Sequence, residues 1–320
     1  MPKISVISPI YNTDPYLADC LDHLVKQTLQ DMEFIWIDNA ANNKCREIIN
    51  KYKDLRENIR VISLTENIGY SGAMNLGLEK ATGDFIGFCD TDDWVDYDYY
   101  ERLYNAVTDN TDIVYCSHII EEPNKSNIVD LLSPSQKANS LDVLTCGSIW
   151  NGIYKAELIK GNAVSFNKNG KSIYRDTVFA AQVGCFSQNC KAIKDLYYHC
   201  MQRKGSTTNG LSLLQRKTAT YEILEEIFAN PNMSTLAKDK LESLSDLLMR
   251  SLPITALEKF PKEAEALTSL AHFKKMYNQT KAFSHPTFLQ RLFSVSQHFS
   301  KPIKKIRFLG LSFKIKQKKG

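Results

Sequence analysis

The chain has 320 residues, of which 43% are hydrophobic and 24% charged, and a net charge of +4. Such a length carries one large α/β domain with an appendage, and such a composition excludes intrinsic disorder. The charge is divided: Ala266–Gly320 contains no Asp or Glu and twelve Lys or Arg, which leaves a net −8 on the first 265 residues.

The opening MPKISVISPIYN enters a strand pattern with no basic-then-apolar leader, and no apolar run approaches the ~20 residues that cross a bilayer. Eight scattered cysteines without a CxxC read as buried thiols of a cytoplasmic protein. Lys3–Ile10 is apolar and β-branched, a first strand. Tyr16–Gln27 has helical spacing through Leu17, Leu21, Leu24 and Val25, with Asp14-Pro15 as its start signal. Glu33–Ile37 and Ile59–Leu64 read as the next strands, Cys45–Leu55 and Ser71–Ala81 as the helices after them, and Phe85–Cys89 as a fourth strand. Short strands alternating with helices of about ten residues imply a mostly parallel sheet covered on both faces. Glu121–Asn127, polar and containing Pro123, reads as a loop into a less regular half completed by Ile149–Leu158, Asp176–Val183 and Ala192–Cys200. From Leu211 to about Lys281 the pattern is helical. The expected organisation is an α/β domain over 1–208, a helical appendage over 209–283 and a basic amphipathic tail over 284–320.

Ligands of such sheets bind beyond the carboxyl ends of the strands, and two polar clusters stand there: Asp38-Asn39 and Asp90-Thr91-Asp92-Asp93. Three carboxylates within four residues repel one another unless a cation or solvent intervenes, which suits a hard divalent ion bridging protein oxygens and a diphosphate. A solvated acidic turn before a helix is the plain alternative. Between the clusters, Glu66-Asn67-Ile68-Gly69-Tyr70-Ser71-Gly72-Ala73-Met74-Asn75-Leu76-Gly77 opens a helix whose N-terminus favours anionic groups; strand-to-helix packing is the alternative there.

ISVISPIYN, YLADCLDHLVKQTLQDMEFIWID and NIGYSGAMNLGLEKATGDFIGFCDTDDWV, in that order, resemble the family 2 glycosyltransferases of the GT-A fold, densely over residues 1–120 and more loosely over 145–206. The resemblance implies an inverting transfer of a sugar from a nucleotide donor, a UDP-sugar first, with Mn²⁺ or Mg²⁺. Pro9, Tyr11 and Asn12 would form the first nucleotide-contacting turn, Asp38 would lie near base or ribose, and Asn67, Gly69, Ser71 and Asn75 would line the donor. Asp90 and Asp92 match the DxD pair, Asp90 toward the ribose and Asp92 on the metal. Where the family has DDGSTD this chain reads Asp38-Asn39-Ala40-Ala41-Asn42-Asn43, leaving Asn39 an amide to offer a base edge. Met74 stands where an arginine is common. In the second half Asp176 aligns with the catalytic base, with Arg175 in place of the preceding acid; a helix N-cap is its alternative role. Arg203 or Lys204 would reach the departing diphosphate, and Trp150 and Asn151 match the acceptor side, a core indole being the alternative for Trp150.

The acceptor so implied is a surface glycan, such as lipopolysaccharide or capsule, on a lipid carrier. A nucleotidyltransferase would carry a Gly-rich, Arg-containing loop after the first strand, and Ser8–Asn12 has none; a member that binds without turnover is the non-enzyme alternative. The tail interleaves Ile303, Ile306, Phe308, Leu309, Leu311, Phe313 and Ile315 with basic residues, as an interfacial segment on an anionic membrane does. It would place the protein peripherally at the inner face of the membrane. Packing as a strand or hairpin is the other reading, and nothing suggests a nucleic-acid partner.

Overall fold

The computed structural model describes residues 1–122, 125–129, 148–166, 175–202 and 230–232, and the strands 294–297, 303–308 and 311–316. It divides into two compact units, Met1–Leu247 and Leu248–Gly320. The boundaries expected at 208 and 283, and the helical appendage apart from 230–232, lie outside the described residues.

In the first unit β1 (Ile4–Ile10) leads to α1 (Asp14–Val25), β2 (Met32–Asp38) to α2 (Asn43–Tyr52), β3 (Ile59–Ser63) to α3 (Gly69–Lys80), and β4 (Phe85–Phe88) to the acidic turn. Local chemistry sets these bounds. Pro15 opens α1, where its missing N–H costs nothing. The Asn42 side chain accepts from Cys45 N and caps α2. Gly69, at φ +76, supplies the left-handed turn that starts α3. There follow β5 (Trp94–Val95), α4 (Tyr99–Asn105), β6 (Ile113–Glu122), β7 (Lys125–Val129), β8 (Gly152–Lys155), α5 (Ala156–Gly161), α6 (Arg175–Phe186) and β9 (Cys190–Met201).

The strands form one sheet in the order β3-β2-β1-β4-β8-β6-β9-β5, with β7 beside β6. It is parallel through β3, β2, β1 and β4 and again between β6 and β9; β8 is inserted antiparallel. β1 alternates cleanly, Ile4 and Val6 entering the core under α1 and α2 while Ile7 joins Ile35, Ile37 and Met74 under α3. Each fully buried Leu or Ile of these layers contributes about 1.5–3 kcal/mol. α3 lies close on β1: a Cβ at Gly77 would meet Ile7 Cγ2 at 2.3 Å. Within the segment 121–127, expected as a loop, residues 121–122 and 125–127 belong instead to the antiparallel strands β6 and β7, Glu121 pairing with Ser126 and, further along, Ile119 with Ile128. Met74, on α3, is fully buried in the core.

In the second unit β10 (Ser294–Gln297), β11 (Ile303–Phe308) and β12 (Leu311–Lys316) form an antiparallel sheet in that order. Ile306 pairs with Phe313 and Phe308 with Leu311, with Arg307 on Ser312 between them and Lys305 on Lys314 next along the ladder. Among the described residues no helix is long and apolar enough to cross a membrane.

Candidate active site

The register of the parallel half brings the polar clusters together. Ile10 pairs with Asp38 on β2, and Ile7 with Phe88 on β4, so the β1–α1 turn, the β2–α2 turn and the acidic turn share one edge. Thr91, 2% exposed, donates to Pro9 O at 3.1 Å and accepts from Thr13 Oγ1 at 2.9 Å, joining the acidic turn to the one that carries Tyr11 and Asn12. Tyr11 is exposed at 47%. Asn12, at φ +52, takes the left-handed conformation its short amide tolerates, and its Oδ1 accepts from Asn42 N.

Asp38 is buried. Its Oδ1 accepts from Ala41 N at 2.9 Å and its Oδ2 from Arg46 Nε at 3.1 Å. Asn39 is equally buried and its amide turns inward, Nδ2 donating to Asn67 Oδ1 and Gly69 O, and Oδ1 accepting from Ile68 N. It staples the α3 entry to the end of β2. Asn75 bonds both backbone groups of Phe166, accepting from its N at 2.9 Å and donating to its O at 3.2 Å. Ser71 is buried in the first turn of α3, its hydroxyl without a partner among the described residues.

Asp90–Asp93 is a turn closed by Asp93 N donating to Asp90 O at 3.1 Å. Asp93 is buried. Its Oδ1 accepts from Met201 N and its Oδ2 from Tyr198 Oη, while Tyr198 Oη accepts from Asp90 N, so the turn is bolted to the end of β9. Asp90 and Asp92 are partly exposed. Asp90 Oδ1 accepts from Tyr70 Oη at 3.0 Å. Burial and the nearby carboxylates of Asp176, Asp93 and Asp92 push Asp90 well above the usual carboxylate range, against the Tyr70 hydrogen bond. Asp176 reaches the same place from the first turn of α6. It stands inside the helix and not at its cap, where an acid complements the helix dipole. Tyr70 is pushed well above the ordinary phenol by burial and by Asp176 and Asp90.

On the second half of the sheet, Trp150 is stacked on Tyr198 with centroids 4.3 Å apart and meets His118 edge-on at 5.0 Å. Burial lowers His118 to about 4, so it is neutral at physiological pH. Asn151 is buried, donating to Cys116 O and accepting from Ser148 Oγ. His199 packs flat on Trp94 at 3.5 Å and bonds Glu121, as a strand residue. Arg203 and Lys204 lie outside the described residues.

The structure therefore sets Pro9, Tyr11, Asn12, Asp38, Asn39, Asn67, Gly69, Asp90 and Asp92 along one edge, with Asp176 near Asp90 from α6, and directs the amide of Asn75 to the backbone of Phe166 and that of Asn151 to Cys116 O and Ser148 Oγ. Tyr70, Tyr198 and Arg46, absent from the sequence reading as functional residues, enter as partners of its acids: Arg46 of Asp38, Tyr70 of Asp90, and Tyr198 of Asp93, which lies 105 residues away. No spacing rule marks a tyrosine that meets an acid from another element.

An α/β sheet with acids at the carboxyl ends of its parallel strands places a candidate ligand site at that edge. Residues 5–183 match the family model described as Glycosyl transferase family 2, more than half of the chain, and the chain belongs to that family. Its fold is of the GT-A type: it is similar to Staphylococcus aureus TarS 1–349 in complex with UDP, with a TM-score of 0.64 and 19% identity over 98% of each chain. It is also similar to the mannosyltransferase PcManGT of Pyrobaculum calidifontis in complex with GDP-Man and Mn²⁺, with a TM-score of 0.55 and 15% identity, covering 89% of this chain and 81% of that one. In sequence it is 30% identical over 211 residues to the poly(ribitol-phosphate) beta-glucosyltransferase of Bacillus spizizenii, 63% of this chain and 33% of that protein. The chain spans about half the length of the curated relatives it matches, from 31% to 60% in three of them.

Proposed function

We propose that the chain transfers a sugar from a UDP-sugar to a hydroxyl of a bacterial surface glycan, with inversion at the anomeric carbon. The observation that carries this reading is the acidic turn Asp90–Asp93 at the carboxyl end of the parallel strands, with the Asp176 carboxylate of α6 close enough to help push Asp90 up. A single displacement needs this pair of roles: a carboxylate on the donor side, and a base facing the attacking oxygen. The family supports glycosyl transfer; the UDP complex of the TarS neighbour supports the nucleotide; the poly(ribitol-phosphate) relative supports a glycopolymer acceptor over lipopolysaccharide.

The donor set fits a divalent ion. Two partly exposed carboxylates, Asp90 and Asp92, lie one residue apart in a turn whose acids repel one another. The described residues hold no group of three His, Cys, Asp or Glu that could hold a metal by itself. Asp92, with Asp90, would hold Mn²⁺ or Mg²⁺, which when bound neutralises charge on the departing diphosphate. The rest falls to the chain. Tyr11 and the Asn39–Asn67 staple shape the nucleotide turn, the N-terminus of α3 faces the diphosphate, and Asp176 takes the acceptor proton. Trp150, against Tyr198, offers an apolar wall to the acceptor. Arg203 and Lys204 are assigned to the leaving group on the sequence resemblance alone.

The basic tail is proposed to rest on an anionic membrane at the inner face of a cytoplasmic location. Within the β11–β12 ladder the pairs Ile306–Phe313 and Phe308–Leu311 alternate with Arg307–Ser312 and Lys305–Lys314, which supports an interfacial reading. Liposome sedimentation of the full chain and of a protein ending at Ser300 tests this; equal recovery on anionic vesicles would remove the membrane role.

UDP released from a panel of UDP-sugars with Mn²⁺, and lost with EDTA, tests transfer. An NMR reading of the product's anomeric configuration tests inversion, and a retained configuration contradicts the mechanism.

A further inference from the structure

We propose that Tyr198 is the positioning residue of the acidic turn, its one hydroxyl tying both ends of Asp90–Asp93 to β9 while its ring backs Trp150. The inference rests on the transferase reading and adds a residue to it. Tyr198 is fully buried. Its Oη accepts from Asp90 N at 3.1 Å and donates to Asp93 Oδ2 at 3.0 Å. Asp93 Oδ1 accepts in turn from Met201 N at 2.8 Å, further along the same strand. The chain leaving the turn is held at the same residue, since Val95 of β5 pairs with Tyr198. The ring stacks on Trp150, centroids 4.3 Å apart and 26° from parallel.

A phenol has one proton to give and lone pairs with which to accept. Here the proton goes to the acid that ends the turn and a lone pair takes the N–H that begins it, so the hydroxyl fixes the span between them. Within that span stand Asp90 and Asp92, the carboxylates assigned to the ion, which like charge pushes apart. An ion held by few protein oxygens binds best where they are already spaced for it. Because the ring also lies against Trp150, the same residue sets the donor turn relative to the wall offered to the acceptor. Tyr99, on α4, supplies the contrast within the same core. It is equally buried and its ring meets that of Tyr198 at 6.2 Å, but its Oη bonds Trp150 O and Cys116 Sγ instead of the turn. Simple core packing would treat the two phenols alike.

Tyr198→Phe in the full chain keeps the stacked ring and removes the hydroxyl, and Tyr99→Phe is its control. Calorimetry with UDP, once in Mn²⁺ and once in EDTA, gives the gain in affinity that the ion supplies. In Tyr198→Phe that gain should fall about 10- to 100-fold, the cost of losing a residue that orients a metal's ligands, while affinity in EDTA holds. In Tyr99→Phe both should hold. An unchanged gain in Tyr198→Phe, or an equal fall in the two variants, would overturn the role and leave the phenol as packing. So would an affinity in EDTA that drops as far as the affinity in Mn²⁺. Asp93→Asn, which weakens the far end of the same tie, should show the same fall even where Tyr198→Phe does not fold, and a retained gain there overturns the proposal. If UDP affinity of the unsubstituted chain is the same in Mn²⁺ and in EDTA, the metal-dependent donor reading falls and the proposal with it; a gain that both the unsubstituted chain and Tyr198→Phe keep brings down the proposal alone.

Discussion

The two halves of the catalytic unit are built by different means. In the parallel half, up to the acidic turn, the site edge is closed by hydrogen bonds: Asp38 to Ala41 and Arg46, Asn39 to three residues before and within α3, Thr91 to Pro9 and Thr13. In the half from β6 to β9, aromatic faces take over, with Trp150 on Tyr198, His118 on Trp150 and His199 on Trp94. The contrast teaches a division of labour. In the proposed reading the hydrogen-bonded edge would hold the nucleotide, whose polar edges are always the same, and the aromatic half would face the more variable acceptor.

Substitutions across this divide should behave differently. Asp176→Asn, on the acceptor side, should lower transfer by ~10²–10⁴-fold, the worth of a positioned base, while UDP affinity by calorimetry holds. A collapse of both would make Asp176 a donor-side residue and erase the contrast. Asp92→Ala should weaken UDP binding in Mn²⁺ by about 10-fold or more, since it deletes an oxygen ligand, and leave UDP binding in EDTA unchanged. Asn39→Ala should cost about 1–3 kcal/mol by urea unfolding, because it removes the hydrogen bonds by which the buried amide holds Asn67, Ile68 and Gly69; a loss of nucleotide affinity without a loss of stability would show that Asn39 reads the base instead. The smallest effect belongs to Ala40, at φ +54 in the left-handed region. Ala40→Gly should raise stability by about 0.5–1 kcal/mol, read as a higher urea midpoint at unchanged slope.

That alanine also shows how far the sequence could be read. The run Asp38-Asn39-Ala40-Ala41 departs from DDGS at the glycine, and the structure keeps the left-handed turn regardless, held by Asp38 and its neighbours. β1 to β4 and α1 to α3 were legible because each buries one stripe or both faces, and periodicity reports burial. The β6–β7 hairpin was not, because β7 is largely exposed and its residues carry no apolar alternation around Pro123. The acids of the site were visible as clusters, but their wiring was not. Asp93 reads as one more acid, yet it anchors Tyr198 and Met201, and Asn75 looks like a donor contact, yet it grips Phe166. Partners about ninety or more residues away leave no trace in local spacing.

A crystal structure of the full chain with UDP and Mn²⁺ bears most directly on the meeting of donor and base. The expected result places the ion on Asp92 and the diphosphate, the ribose toward Asp90, and Asp176 on the side where an acceptor hydroxyl would enter. UDP bound away from the β1–α1 turn, or an ion held by other carboxylates with Asp176 turned from the diphosphate, would contradict it.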